Sequence, residues 1–323
     1  MPRGWRVAER PADSAAMGIE DGSTRPELER APVELVAVGG VDRRLSKAER
    51  VWGREAVRKF TVVLVLLAVW QAGAALYNRP LSMPTASATF ESLWENIKPD
   101  VKERSLKGVW DALAEAPLIG ATARSLKLLA YGYAIGVALA CVLSICATFT
   151  RIGRDVLETL TAMFSPLPAI ALVPLALIWF GLGNPWAMIF VLAHSVLWPV
   201  ALNMHAGFRS SGQTLRMVGR NYGLGPLRFV LLILIPASLG AIITGLKIGW
   251  AFAWRTLIAA ELVFGSNGDQ GGLGWFVFVA KNNLQPEAVF AGLLMVVAIG
   301  LVVENLIFRT VEVRTIRRWG VSH

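Results

Sequence analysis

The sequence predicts an all-α integral membrane protein with about six transmembrane helices. Of its 323 residues, 54% are hydrophobic and only 17% are charged, whereas about 25% of the residues in a soluble domain are charged. Several apolar runs also reach the ~20 residues that a helix needs to cross a bilayer. The six predicted spans cover residues 59–78, 126–148, 158–181, 187–207, 237–263 and 288–308.

The positions of the basic residues predict the orientation of these spans. Basic clusters precede the first span, follow the second and the last, and fill the segment between spans four and five. Under the positive-inside rule all of these segments are cytoplasmic, and an even number of spans places both termini on that side. Because the net charge of +9 is concentrated along one membrane face, it argues against a nucleic-acid partner. The predicted external segment, residues 79–123, fits less well because it also carries basic residues.

The apolar spans divide the chain into four segments. Residues 1–55 are polar and lack a sustained hydrophobic period, which predicts a disordered cytoplasmic tail. No apolar run follows their early charges, so we expect no signal peptide. The other segments are the first membrane helix with an external amphipathic helix (56–123), a five-helix core (124–310) and a cytoplasmic C-terminal tail (311–323).

Three prolines interrupt the third predicted span: Pro166, Pro168 and Pro174. Each proline removes a backbone donor and bends the helix. Such breaks are tolerated at membrane depth only where the backbone faces protein or a water-filled cavity. We therefore expect this segment to line a pathway, with a kink that serves packing alone as the alternative.

A polar, basic segment, residues 209–236, separates spans four and five. It predicts a helix, a break at Gly223 and then a second helix, because glycine permits positive φ and Pro226 cannot continue an established helix. Its apolar residues, among them Leu227 and Phe229, exceed what a solvated loop needs. A short helix of this kind can dock into a groove on a soluble partner; the alternative is a helix that lies on the lipid surface.

Charged residues inside the fifth span are a second functional signal. Charged groups at this depth usually face a partner or a pathway, and Lys247 lies close enough to the inner end to extend toward water. Arg255 is the better candidate for an anion contact because its planar guanidinium matches oxyanions, although an interfacial or ion-paired arginine is the alternative. Glu261 is too far around the helix to pair with Arg255. His194 in the fourth span is either a buried core histidine or a solute contact.

The sequence offers no enzyme chemistry. It contains no phosphate-binding loop of the G-x-x-x-x-G-K-[ST] type, so it predicts no nucleotide or other cofactor bound by this chain. It also shows no catalytic triad, no paired carboxylates and no metal-ligand spacing, so we expect neither a catalytic site nor a metal site. The two cysteines, Cys141 and Cys146, lie in one span and are predicted to be small apolar fillers.

The segment between spans four and five resembles the cytoplasmic loop of permease subunits of ATP-binding-cassette importers. The pattern of that loop is Glu-Ala-Ala, three residues, Gly, nine residues and Ile-x-Leu-Pro. Gly223, Ile233 and Pro236 fall in register with it, whereas Met217 occupies the acidic position and the Glu-Ala-Ala part is lost.

The resemblance extends from Ser125 to the C-terminus and is to the nitrate, sulfonate and taurine subgroup of these permeases. Its matches include the prolines of span three, the Trp179–Gly183 turn after them, and Thr244–Ile248 and Ala260-Glu261 in span five. One departure is Leu128, which stands where a basic residue is usual, with Lys127 beside it.

The resemblance implies an importer-permease fold and a translocation subunit that moves a small anionic solute inward across the cytoplasmic membrane of a prokaryote. The implied solutes are nitrate, sulfonates, taurine or organic acids. The implied partners are ATPase subunits that bind the ATP, a second permease copy, an external solute-binding protein and membrane lipid. The residues expected to contact the ATPase are Gly223, Leu224, Gly225, Pro226, Leu227, Arg228, Phe229 and Pro236.

The residues of the sequence that we expect along the translocation pathway are Arg255, Glu261, His194, Pro168 and Pro174. Two other classes of protein remain open at this point. A secondary transporter would show inverted repeats with paired broken spans, and this chain shows one proline-broken span without a clear second copy. A membrane scaffold or sensor would not need kinked spans that carry charges.

Overall fold

The computed structural model describes residues 55–99, 116–264 and 271–315, and every element within them is helical. The predicted N-terminal tail, the middle of the predicted external segment and the end of the C-terminal tail lie outside these residues. The elements are α1 (Glu55–Tyr77), α2 (Ala86–Ile97), α3 (Pro117–Phe149), α4 (Arg151–Phe164), a 3₁₀ turn (Ala169–Leu172), α5 (Val173–Phe180), α6 (Pro185–Ser210), α7 (Gln213–Asn221), α8 (Pro226–Phe229), a π-helical turn (Val230–Leu234), α9 (Ile235–Ala237), α10 (Leu239–Phe264), α11 (Leu273–Asn282), α12 (Pro286–Val302), a second π-helical turn (Val303–Phe308) and α13 (Arg309–Thr315).

The described residues contain four to six helical segments that can cross a membrane. Four single helices are long and apolar enough by themselves: Val57–Tyr77, Pro117–Phe149, Pro185–Ser210 and Pro286–Thr315. Two bent pairs complete the set if each pair is one span: Arg151–Phe164 with Ala169–Phe180, and Pro226–Ala237 with Leu239–Val263. The prediction of an all-α membrane protein is thus confirmed, and the six predicted spans overlap these six segments.

Helix α6 forms the centre of the core, between α3 and α10. Glycines bring the neighbouring backbones close to it, as small residues do in membrane bundles. A Cβ atom added to Gly132 of α3 would lie 2.5 Å from the Leu192 Cβ, and one added to Gly245 of α10 would lie 2.8 Å from the Asn203 Cβ. Helices α3 and α10, which correspond to the second and fifth predicted spans, therefore flank α6 at close range.

The third span breaks where its first two prolines predict. Helix α4 ends at Phe164, and the chain turns by 88° before it continues through the 3₁₀ turn into α5. Neither Pro166 nor Pro168 can donate a backbone hydrogen bond, so the helix ends before them. Pro174 instead lies in the first turn of α5, where a missing donor costs little.

The amphipathic helix predicted after the first span is α2. Its N-cap is Thr85, whose hydroxyl accepts a hydrogen bond from the backbone N–H of Ala88 at 3.3 Å. Helix α1 contacts the start of this region through Trp70, whose indole donates to the Pro84 carbonyl at 3.1 Å. The same indole stacks on Phe290 of α12 with a centroid distance of 5.6 Å. These contacts attach the first span to the core.

Candidate functional site

The loop between α7 and α8 is a helix-ending turn that depends on glycine. Gly223 has φ = +62°, a left-handed conformation that glycine adopts without steric cost. The N–H of Leu224 donates to the Gly219 carbonyl at 3.0 Å, which is the pairing of a Schellman motif at the end of α7. Gly225 then precedes α8, and Pro226 is the first residue of that helix, where its missing donor is not needed.

The two apolar residues that the sequence placed together on this loop face different surroundings. A Cβ atom on Gly219 would lie 2.5 Å from the Phe229 ring, so Phe229 packs directly against the backbone of α7. Leu227 remains 65% exposed and Tyr222 79% exposed. The exposed apolar surface of the loop therefore contains Leu227 and Tyr222, while Phe229 packs against the helix that precedes the loop. Tyr222 was not identified from the sequence.

This loop is anchored to the two helices that flank it. The Arg216 side chain at its root donates to the Phe208 carbonyl at the end of α6, at 3.0 Å. The π-helical turn after α8 buries Val230 and Leu234 in a cluster with Phe208 and with Ile242 of α10. A displacement of the loop would consequently be transmitted to α6 and α10.

Helices α6 and α10 enclose a cavity of about 540 Å³ with the proline break of the third span. It lies about half-way along α6, beside the break that contains Pro166 and Pro168. Its walls come from three parts of the chain: Ser165, Pro166, Leu167, Pro168, Ala169 and Ile170 of the break; His194, Ser195, Trp198, Pro199, Leu202 and Asn203 of α6; and Phe252, Arg255, Thr256 and Ala259 of α10.

Three of the five predicted pathway residues line this cavity: Pro168, His194 and Arg255. Pro174 and Glu261 do not. Sequence reasoning missed Trp198 and Asn203, which lie about one turn and about two and a half turns beyond His194 on α6. Helical spacing from His194 would have identified Trp198, four residues along the chain.

The cavity wall carries hydrogen-bond donors without partners. Among the described residues, the two ring nitrogens of His194 have no hydrogen-bond partner, and the indole nitrogen of Trp198 has none either. Phe164 stacks on Trp198 at a centroid distance of 5.7 Å and meets His194 edge-on at 6.1 Å. Buried polar groups without partners are costly, and these nitrogens expose almost no surface in this conformation, so a polar molecule in the cavity would bond to them once a ring turns toward it.

Arg255 contributes a charge to the same wall. In the described part of the chain, its side chain has no ion pair and no hydrogen bond, and it is exposed in the single chain. Lys247 on the same helix behaves differently, since its ammonium pairs with Glu312 at 2.5 Å. A guanidinium without an ion pair in a membrane helix normally faces a pathway or a partner, so Arg255 and Lys247 have different surroundings although they lie on the same helix.

Glu261 is buried at the opposite end of α10 from the loop. The Ser125 hydroxyl of α3 donates to its carboxylate at 2.9 Å, and the Gly274 N–H of α11 donates to it at 2.8 Å. Ser125 in turn accepts from the Leu273 N–H at 2.8 Å. Ser125 of α3 and Glu261 of α10 together cap the start of α11, and a carboxylate is favourable at that helix end. Glu261 also lines a separate cavity of about 420 Å³, together with Lys127.

Replacing Ser125 with alanine is expected to loosen this connection between α3, α10 and α11. The substitution leaves the Leu273 N–H unsatisfied and removes one donor from Glu261, at a cost of about 1–3 kcal/mol. The apparent melting temperature of the purified protein in detergent should fall. Ser210→Ala is the control, because within the described residues the Ser210 hydroxyl bonds to the Gly207 carbonyl of its own helix and to no other group. Equal melting temperatures for both variants would contradict the capping role.

The same core is recognised when the sequence is compared with known proteins. The family described as "Binding-protein-dependent transport system inner membrane component" matches residues 132–312, more than half of the chain. The chain belongs to this family. The match begins in α3 and ends in α13, so it includes the cavity, the loop and the Arg255 helix.

Relatives of this permease are ABC transporter permeases with named solutes. The taurine transport system permease protein of Escherichia coli is 27% identical over 78% of this chain and 86% of its own length. The bicarbonate transport system permease protein of Synechococcus elongatus is 27% identical over 76% of this chain and 84% of its own length. These findings confirm the resemblance to an ABC importer permease of the sulfonate and taurine type.

Proposed function

We propose that this permease moves a small anionic solute inward through the cavity beside Arg255. The observation that carries the proposal is the unpaired Arg255 guanidinium in the cavity wall, because such a charge is costly in a membrane unless it serves a pathway. The unpartnered donors of His194 and Trp198 complement the oxygen atoms of an anion. The named solutes of the two relatives, taurine with its sulfonate and bicarbonate, fit the same chemistry.

The loop from Gly223 to Phe229, with Pro236, is the proposed contact for an ATPase that drives transport. It presents Leu227 and Tyr222 outward and is anchored to both cavity-lining helices, α6 and α10. A partner that moves the loop would therefore move the walls of the cavity. Hydrolysis belongs to the ATPase, and this chain supplies the path.

A second copy of the permease is the proposed cover for the open side of the cavity. Phe252 and Arg255 are exposed in the single chain although both lie in an apolar membrane helix. A charged face of this kind is stable against a symmetric partner that shares a central path, and not against lipid. The solute would be delivered to the far side by an external binding protein, as the name of the family implies.

The proposed function is tested by reconstituting the permease with its ATPase and binding protein in proteoliposomes. Uptake of an anionic solute, with taurine and bicarbonate as the first probes, should require ATP on the side of the loop. Uptake that needs an ion gradient instead of ATP would identify a secondary transporter. A protein that neither co-purifies with an ATPase nor supports uptake would be a scaffold.

The proposed orientation places the loop and both termini in the cytoplasm. In a background without Cys141 and Cys146, a cysteine at Thr214 in α7 should react with an impermeant thiol reagent only from the cytoplasmic side. A cysteine at Asn282 at the end of α11 should react only from outside. Both positions are exposed, so burial does not prevent labelling. Labelling of both cysteines from the same side would disprove the arrangement.

A further inference from the structure

A second polar cavity, of about 320 Å³, lies at the loop end of the bundle. It shares no lining residue with the larger cavity beside Arg255. All of its charged lining residues are arginines, and its walls come from the ends of α3 and α6, the start of α4 and the root of the loop. The lining residues are Ala147, Thr148, Arg154, His205, Arg209, Ser211, Gln213 and Arg216.

His205 is the deepest polar group of this cavity. Its side chain is only 7% exposed, and among the described residues neither ring nitrogen has a hydrogen-bond partner. A neutral imidazole always carries one N–H donor, and leaving a buried donor unsatisfied costs free energy. The ring nitrogens expose almost no surface in this conformation, so a molecule in the cavity would accept this hydrogen bond, and remove its cost, once the ring turns toward it.

The three arginines have little compensation from acidic groups. The only carboxylate paired with them in the described residues belongs to Glu158, which lies 4.0 Å from the Arg209 guanidinium in an exposed pair. Arg216 donates from one nitrogen to the Phe208 carbonyl and retains further donors of its fork. Arg154 makes no side-chain ion pair in this part of the chain. The cavity therefore combines positive charge with free hydrogen-bond donors.

We infer that this cavity binds a small oxyanion. Planar guanidinium groups bind sulfate, phosphate, nitrate or carboxylate oxygens through paired hydrogen bonds, and the His205 donor would complete the shell. A volume of about 320 Å³ admits such an anion together with several water molecules and is too small for a helix. Because the site adjoins Ser211 and Arg216 at the root of the loop, an anion here would also fix the loop to α6.

The position of the cavity allows two sources for this oxyanion. His194 and Trp198 of the larger cavity share one face of α6 with His205 and Arg209, since the spacings of four, seven and four residues follow the helical repeat. A solute that leaves the larger cavity toward the loop is therefore one source of the anion. Alternatively, an anion from the cytoplasm binds here and controls the loop.

Sulfate is the probe for binding to the purified full-length permease in detergent. Melting temperature is measured against sulfate concentration, with chloride at equal ionic strength as the reference. We expect sulfate to stabilise the protein specifically, and Arg154→Gln or His205→Asn to weaken its apparent affinity by about tenfold or more. Arg151→Gln is the matched control, because Arg151 lies in the same turn of α4, is exposed and does not line the cavity.

The absence of a sulfate-specific rise in the wild-type protein, or an equal loss in the Arg151→Gln control, would overturn the proposal. If one of the two cavity variants folds poorly, the other is used, and its binding of labelled sulfate is measured directly by equilibrium dialysis. This test requires no transport. Sulfate can therefore bind even if the proposed transport function is wrong, and transport can be observed even if sulfate does not bind.

The source of the anion is resolved in proteoliposomes that contain the permease with its ATPase. Sulfate on the loop side that inhibits ATP hydrolysis in the wild-type protein, and not in Arg154→Gln, identifies a cytoplasmic anion that controls the loop. Release of taurine on the loop side that is slowed several-fold by Arg154→Gln, with no effect of sulfate, identifies the transported solute. Either result supports the oxyanion site, whereas identical behaviour of wild type and Arg154→Gln in both assays excludes a role for it in the transporter.

Discussion

Replacing Gly223 with valine is expected to uncouple ATP hydrolysis from transport while membrane insertion persists. Gly223 has φ = +62°, and a β-branched residue is a strong outlier in this region. The left-handed conformation costs an L-residue about 1–2 kcal/mol, which is enough to shift the turn. The turn connects α7 to α8, so a change in it would displace the surface with Leu227 and Tyr222 relative to α6 and α10.

Gly225→Val is the matched control for this experiment. A Cβ atom at either glycine meets open space, so steric overlap does not distinguish the two positions. The difference is the backbone, since Gly225 has φ = −64° and ψ = 161°, which valine adopts readily. The measurement is the ratio of solute transported to ATP hydrolysed in proteoliposomes. A normal ratio for Gly223→Val would show that the turn does not transmit the motion, whereas an equal loss for Gly225→Val would assign the effect to the added side chains at the proposed ATPase contact and not to the backbone of the turn.

The sequence predicts the membrane architecture well because the relevant signals are local. The apolar runs are set by the bilayer thickness, and the break of the third span follows from Pro166 and Pro168. The turn at Gly223 was also predicted, because Gly223 permits a positive φ and Pro226, three residues further on, cannot continue an established helix. Each of these features depends on residues that are close together in the chain.

Contacts between side chains of different elements are the part of the candidate site that local patterns do not give. Glu261 was predicted as a pathway residue because charged groups at membrane depth usually face a pathway or a partner, and its contact with Ser125, 136 residues away, cannot be read from the span itself. Phe229 was predicted to contact the ATPase, and its packing against the Gly219 backbone of α7 likewise cannot be read from the sequence pattern. The cavity with His205 joins four separate segments, so periodicity along any one helix could not reveal it.

The Arg255→Gln substitution is expected to reduce transport strongly while the complex with the ATPase still forms. If Arg255 binds the anion in the cavity, the loss of charge-assisted hydrogen bonds of about 1.5–3 kcal/mol corresponds to a decrease of roughly 10- to 150-fold. Arg255→Lys should restore only part of the activity, because lysine keeps the charge and loses the planar fork. The initial rate of uptake at low solute concentration measures both effects.

Lys247→Gln is the matched control, since it removes a positive charge from the same helix at a position that is paired with Glu312 and half exposed. Transport by this variant should stay near the wild-type rate, because partly exposed ion pairs contribute about 0–1 kcal/mol. Normal transport by Arg255→Gln would place Arg255 outside the pathway. Failure of both Arg255 variants to assemble would instead indicate a structural ion pair across the proposed dimer, with an acidic residue other than Glu261, whose carboxylate is already held by Ser125 and Gly274.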